Sequence, residues 1–259
     1  MSVVPFNLTA GFYPEMPQEE IQRFIDKSIQ LIYQKKLHFQ GKIIYFMKHD
    51  SIIAHEGYPF IIFSLVITVF VAFFGIIWLT ILFALITFFI IWFFRNPDRY
   101  FQEEEKVLIS PADGKVIKIE DVALNGSISG RFKKISIFMN VFNVHVNRAP
   151  YTGKIEAMNY HEGKFFSANL DKASLDNERN EVMINTKDGR SIWVVQIAGL
   201  IARRIICWMN VGMTIKKGER FGIIRFGSRV DIYLPEDSRI SVKLRDKVKA
   251  GQTPLGFLS

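Results

Sequence analysis

Three short segments hold the residue types that self-cleaving chemistry needs. Gly227-Ser228 lies in Arg225-Phe226-Gly227-Ser228-Arg229-Val230-Asp231, between two strand-like runs. Upstream stand Ser110-Pro111-Ala112-Asp113-Gly114 and Val144-His145-Val146-Asn147-Arg148-Ala149-Pro150. A serine hydroxyl can attack the carbonyl of the residue before it and turn the peptide bond into an ester. Elimination from that ester leaves dehydroalanine, which hydrolyses to a pyruvoyl group and ammonia. Glycine at 227 admits backbone geometries that other residues resist. The plain alternative is a β-bulge or turn in which Gly-Ser serves shape alone.

His145 is the candidate base. Strand alternation places it on one face with Asn143 and Asn147, and an imidazole among polar neighbours can move protons near neutral pH. A histidine that only satisfies a buried hydrogen bond would read the same. Asp113 sits in a turn signature, where aspartate commonly bonds its own backbone. Its functional reading is as the carboxylate that orients His145 and holds its tautomer.

Other residues are candidates for substrate binding. The segment from Tyr160 to Ser174 contains Phe165, Phe166 and Lys172, and reads either as a substrate-facing loop touching lipid or as an ordinary surface loop. The pair Arg203-Arg204 could meet a phosphate or carboxylate, or line a solvated edge. There is no glycine-rich dinucleotide fingerprint and no P-loop. Five histidines and one cysteine, widely scattered, give no metal signature.

The elements that must position these groups fall into three parts. Residues 1–46 form an N-terminal extension, in which Pro17 opens a helix with Ile21, Ile25, Ile29 and Ile32 on one face. Met47 is a plausible alternative start. Residues 47–99 read as a membrane anchor, because Phe60 to Phe94 contains no charged or amide side chain. A span needs about 20 apolar residues. The run is too long for one upright helix, so two short helices with a break near Gly75 are expected; one long tilted helix is the alternative. Arg95-Asn96-Pro97 ends the helical part. Residues 100–259 read as a β-rich domain, sandwich- or barrel-like, so the chain is α+β overall. Its expected strands are Lys115–Ile119, Lys134–Met139, Lys154–Asn159, Glu181–Thr186, Ser191–Ile197, Phe221–Arg225, Arg229–Leu234 and Ile240–Val242. Phe165 to Asn180 reads as a polar interruption with a helical turn.

Charge sets the expected surroundings. The net charge is +8. Lys35, Lys36, Lys42 and Lys48 precede the apolar run, and Arg95 and Arg99 follow it. Basic flanks favour the cytoplasmic side, so a hairpin keeps both flanks there. The expected partner is an anionic lipid surface. No aromatic-basic pattern typical of RNA readers is present, so nucleic acid is not. A single cysteine, Cys207, forbids an intrachain disulfide.

Taken together, the motifs resemble the phosphatidylserine decarboxylase proenzyme family in its short, bacterial and archaeal-type form. The resemblance runs from about Glu56 to Pro235. It is carried by Glu56-Gly57-Tyr58-Pro59, Phe93-Phe94-Arg95-Asn96-Pro97, Ser110-Pro111-Ala112-Asp113-Gly114, Asn143-Val144-His145-Val146-Asn147-Arg148, Gly163-Lys164-Phe165, Asp171-Lys172-Ala173-Ser174, Asn177-Glu178-Arg179 and Arg225-Phe226-Gly227-Ser228-Arg229. It implies cleavage between Gly227 and Ser228 into a β chain, 1–227, and an α chain, 228–259, that stay together as a heterodimer or a higher oligomer. It also implies that Asp113, His145 and Ser228 form the self-cleavage relay. The cofactor would be a pyruvoyl group made from Ser228, with no pyridoxal phosphate and no metal. That carbonyl would condense with the serine amine of phosphatidylserine and accept electrons as carbon dioxide leaves, giving phosphatidylethanolamine. The enzyme would sit at the inner membrane with its catalytic domain on the cytoplasmic side.

Two departures matter. The longer membrane form of the family has Leu-Gly-Ser-Thr at the cut, where this chain has Phe226-Gly227-Ser228-Arg229. It also has a second histidine where this chain has Phe142, so that histidine's proton-handling role does not carry over, and reprotonation falls to His145 or water. Two rival readings stay open: the same reaction on another seryl lipid such as archaetidylserine, and a non-enzymatic, membrane-tethered β adaptor, since Ser110 to Val116 also resembles turns of lipoyl-like modules.

Overall fold

The computed structural model describes residues 51–100, 104, 106–166, 176–199, 204–225 and 227–259. The helix expected after Pro17 and the start at Met47 lie outside them, as do Lys172, Arg203 and Phe226.

Two helices open the described chain. A short turn at His55–Gly57 leads into α1, Tyr58–Phe73, with Pro59 in its first turn, where a missing N–H costs nothing. The helix stops before Gly75, whose φ of +70° breaks the run, and α2 follows at Ile77–Phe93. The break falls where the sequence placed it. The helices return on one another: Thr68 Oγ1 lies 3.1 Å from Thr87 Oγ1, and the Phe60 and Phe94 rings stack at 5.6 Å. Each threonine hydroxyl also bonds the carbonyl one turn back, so neither is left unsatisfied. Most other side chains are exposed, Phe73 and Trp78 at 85 %. Apolar chains without a protein partner on most of their surface call for an apolar surround. Among the described residues, His55–Phe73 is the one helical segment long and apolar enough to cross a membrane, and Ile77–Phe93 is equally apolar but shorter.

The rest is β. The strands are β1 (Val107–Ile109), β2 (Gly114–Leu124), β3 (Gly130–Met139), β4 (Val146–Arg148), β5 (Gly153–His161), β6 (Arg179–Asn185), β7 (Ser191–Ala198), β8 (Ile205–Cys207), β9 (Thr214–Ile215), β10 (Arg220–Ile224), β11 (Ser228–Pro235), β12 (Arg239–Ile240), β13 (Lys247–Val248) and β14 (Pro254–Phe257). Eight form a curled antiparallel half-barrel in the order β13-β2-β3-β11-β7-β6-β5-β9. Two three-stranded sheets, β4-β10-β8 and β1-β14-β12, complete the domain.

Alternation along β11 sets the two faces. Val230, Ile232 and Leu234 point into the main core with Ile135, Ile137, Val194 and Leu255. Tyr233 lies on the other face with Phe132, Trp193 and Val195, covered by Ile128. A third cluster of Ala54, Phe93, Phe94, Val144, Val146, Trp208 and Ile223 fastens the end of α2 to the sheet of β4 and β10. The expected long strands are all present. Six shorter strands, β1, β4, β8, β9, β13 and β14, were missed, because two to four residues carry little readable alternation. Arg179 and Asn180, placed in the polar interruption, instead begin β6, and Ile240–Val242 is cut down to Arg239–Ile240.

Candidate active site

Ser228 opens β11, the strand held between β3 and β7, and is fully buried. Its register partners are Met139 and Ala198. Gly227 before it is half-exposed with φ of +68°, a left-handed conformation that glycine adopts without the strain other residues suffer. The Gly227-Ser228 bond therefore stands where the chain passes from a left-handed bend into the interior. The Ser228 hydroxyl donates to the Met139 thioether sulfur at 3.3 Å. Sulfur is a weak acceptor, so the hydroxyl is held loosely.

Buried amides lie alongside. Asn147 Nδ2 approaches the same Met139 sulfur at 3.9 Å, and its Oδ1 accepts from Gln196 Nε2 at 2.9 Å. Gln196 Oε1 in turn accepts from Asn180 Nδ2 at 3.0 Å. All three side chains are buried, and the chain of bonds fixes each amide's orientation. Sequence reasoning placed Asn147 on the face of His145 but passed over Gln196, the lone polar residue in the apolar run Ile192–Ala198. Met139 gave no signal, since a core methionine looks the same.

His145 is fully buried just before β4. Its Nδ1 lies 3.0 Å from the Asn143 carbonyl, so Nδ1 carries the proton and Nε2 is the bare acceptor. No hydrogen-bond partner reaches Nε2. The ring packs on Phe93 at 4.3 Å. Burial, with some help from the cationic Arg95, pushes the imidazole down to about 4, against a partial rise from the Asn143 bond. At neutral pH it is an uncharged base.

Asp113 makes its hydrogen bonds to groups other than His145. Its Oδ1 accepts from Ala250 N at 2.7 Å and its Oδ2 from Arg99 at 2.9 Å, so both oxygens are engaged away from the imidazole. The tautomer of His145 is set by a backbone carbonyl. Asp113 instead ties the Ser110–Gly114 turn to the segment after α2 and to the loop before β14. His145 and Ser228 make no direct hydrogen bond with each other either.

The substrate-binding candidates divide. Phe165 packs partly buried against the main core. The Phe166 backbone is clamped by Asn177, whose Oδ1 accepts from Phe166 N at 2.9 Å and whose Nδ2 donates to Phe166 O at 2.7 Å. The same Nδ2 donates to Ala198 O at 2.7 Å, and Ala198 pairs with Ser228. The loop ends are thereby pinned beside the cleavage site. Arg204 is exposed. Phe142, at 65 % exposure, meets Phe89 of α2 edge-on, and its carbonyl accepts from Arg95. The position is an apolar contact with the helices and has no proton to give. No cluster of three metal-ligating side chains occurs among the described residues.

Ser228 is thus buried behind a left-handed glycine, and His145 is buried with its Nε2 unbonded. Comparison with known proteins identifies the family. The phosphatidylserine decarboxylase family pattern matches residues 86–256. The phosphatidylserine decarboxylase proenzyme of Syntrophus aciditrophicus is 54% identical over 211 residues, covering 81% of this chain and 99% of that protein. The proenzymes of Desulfotalea psychrophila (50% over 204 residues, 79% of this chain and 95% of that one) and Syntrophotalea carbinolica (48% over 206 residues, 80% and 96%) are similarly close. By sequence and extent, this chain belongs to the phosphatidylserine decarboxylase family.

Proposed function

We propose that the protein is a self-processing proenzyme that decarboxylates phosphatidylserine to phosphatidylethanolamine. The observation that carries this reading is the placement of Ser228: fully buried, at the head of an inner strand, directly after a glycine at positive φ. The residues fit the formation of a pyruvoyl group there. The Ser228 hydroxyl leaves its weak sulfur acceptor and attacks the Gly227 carbonyl carbon. His145 Nε2 takes the hydroxyl proton and returns it to the Ser228 nitrogen as the Gly227–Ser228 C–N bond breaks and the ester forms. Loss of the Ser228 Cα proton then expels the Gly227 carboxylate and frees the end of chain 1–227. Water hydrolyses the remaining dehydroalanine and releases ammonia. A pyruvoyl carbonyl at residue 228 would supply the electron sink that the carbanion needs when carbon dioxide leaves.

The chain's other residues bind and exclude water. Asn147, Gln196 and Asn180 form a hydrogen-bonded row that ends on the Met139 sulfur shared with Ser228, and Asn177 ties the Phe166 backbone to Ala198, the register partner of Ser228. Protonation of the product carbon falls to His145 or to water. Residues 228–259 supply β11 between β3 and β7, β13 against β2 and β14 against β1. That weaving supports an α chain that stays bound after the cut. The exposed apolar helices and the basic Arg95 and Arg99 support a membrane hairpin with the β domain on the cytoplasmic side of the inner membrane, facing anionic lipid.

The test is decarboxylation of phosphatidylserine labelled in the serine carboxyl, by the natural chain and by Ser228→Ala. Label is released as carbon dioxide by the cut natural chain, while Ser228→Ala remains uncut and inactive. An active Ser228→Ala chain contradicts the proposal. Ether-linked archaetidylserine in the same assay decides between lipid backbones.

A further inference from the structure

Two arginines at the open end of one strand pair form no ion pair among the described residues, although Glu56 lies near Arg225. β8 and β10 run antiparallel with Ile224 opposite Ile205, and the next residues outward are Arg225 and Arg204. Arg225 N donates to Arg204 O at 3.3 Å, so the two cations stand across from each other. Like charges in that position repel, and a strand pair keeps them only for a reason. The Arg225 Nε–H is buried and has no hydrogen-bond partner. A buried charged donor left unpaired is costly unless a ligand completes it. Glu56 is the nearby acid that could have done so. Its Oε1 is taken by Trp208 Nε1 at 2.8 Å, and it forms no ion pair with Arg225. The guanidinium of Arg225 instead lies over the Phe60 ring of α1 at 5.4 Å. It thus sits where the apolar helix pair meets the β domain, two residues before Gly227.

We propose that Arg225, with Arg204 opposite it, receives the phosphodiester of the lipid headgroup and so delivers the serine end to residue 228. The inference rests on the decarboxylase reading. The chemistry suits the place: acyl chains lie along α1, the phosphate monoanion pairs with the two guanidiniums, and the headgroup beyond it extends toward Ser228. Arginine matches a phosphodiester because its fork of N–H groups can bond both free oxygens at once. The role is recognition of the phosphate charge, whichever acyl or ether tails the lipid carries.

The experiment compares Arg225→Gln and Arg225→Lys with the natural chain in mixed micelles. Cleavage is read by mass, and KM and kcat are read for phosphatidylserine and for its neutral methyl phosphotriester. The natural chain is expected to prefer the anionic lipid by tenfold or more in kcat/KM. Arg225→Gln is expected to be cut normally, to raise KM for the anionic lipid about tenfold with kcat little changed, and to lose the preference. Arg225→Lys is expected to recover part of it. A cut Arg225→Gln chain that keeps both the natural KM and the preference overturns the assignment. Failure of both variants to be cut also overturns it, because Arg225 would then serve cleavage. A natural chain that is cut but releases no carbon dioxide would instead sink the decarboxylase reading itself.

Discussion

The sharpest consequence of the buried imidazole concerns pH. If His145 takes the proton in self-cleavage, the step depends on the fraction of His145 that is neutral. An exposed histidine near 6.5 would be mostly protonated at pH 5, and cleavage would fall about 25-fold between pH 7 and pH 5. His145 is pushed down to about 4 by burial. At pH 5 only about a tenth of it is protonated, so the rate should drop by no more than about 20 %. Below pH 4 it should fall about tenfold per unit. The assay is a refolding or cell-free synthesis time course, with cleavage followed on gels at pH 7, 6, 5 and 4. The same shift appears in stability. The folded value lies below the unfolded one, so the neutral ring's contribution is fully present above about 6.5 and is lost as pH falls toward 4. Between pH 7 and pH 4.5 the uncut Ser228→Ala chain should lose about 2 kcal/mol that Ser228→Ala/His145→Ala does not lose. A cleavage profile with its midpoint near 6.5, or equal losses in both chains, refutes the reasoning.

Three further outcomes follow from named contacts. Phe93→Ala opens the apolar wall against His145 and admits water, so the cleavage midpoint should climb from about 4 toward 6.5; an unmoved midpoint shows that Phe93 does not set it. Asp113→Asn removes the carboxylate held by Arg99 and should cost about 2 kcal/mol in thermal or urea unfolding. It should slow maturation while leaving the pH midpoint of cleavage in place; a shifted midpoint would restore a direct Asp113–His145 coupling. Gly114→Ala would bring a Cβ to 2.2 Å from the Phe138 carbonyl oxygen, inside the β2–β3 pairing. Backbone there cannot yield cheaply, so a loss of about 3 kcal/mol or more and an uncut, poorly soluble chain are expected; normal yield and cleavage would contradict it.

Gly227-Ser228, the long strands and the helix break are legible in the sequence, and the reasons are local. Gly227-Ser228 announces itself because positive φ calls for glycine and the chemistry calls for a hydroxyl next to it. The long strands read from alternation, and Gly75 marked the break between the helices. The relay geometry was not legible. Asp113 in a turn carries no sign of which cation it will meet, and Arg99, 14 residues earlier, reaches it from the segment after the helices. The hydrogen bond that sets the tautomer of His145 comes from the Asn143 carbonyl, which no side-chain pattern advertises. Gln196 and Met139 meet Asn147 and Ser228 through sheet register, and register is a property of pairs of strands.

The most direct test of the central claim is the intact mass of the purified protein. The account predicts two polypeptides, the smaller comprising residues 228–259 and lighter by one ammonia than the same peptide beginning with serine. A folded, single, uncut chain with Ser228 unchanged would contradict it.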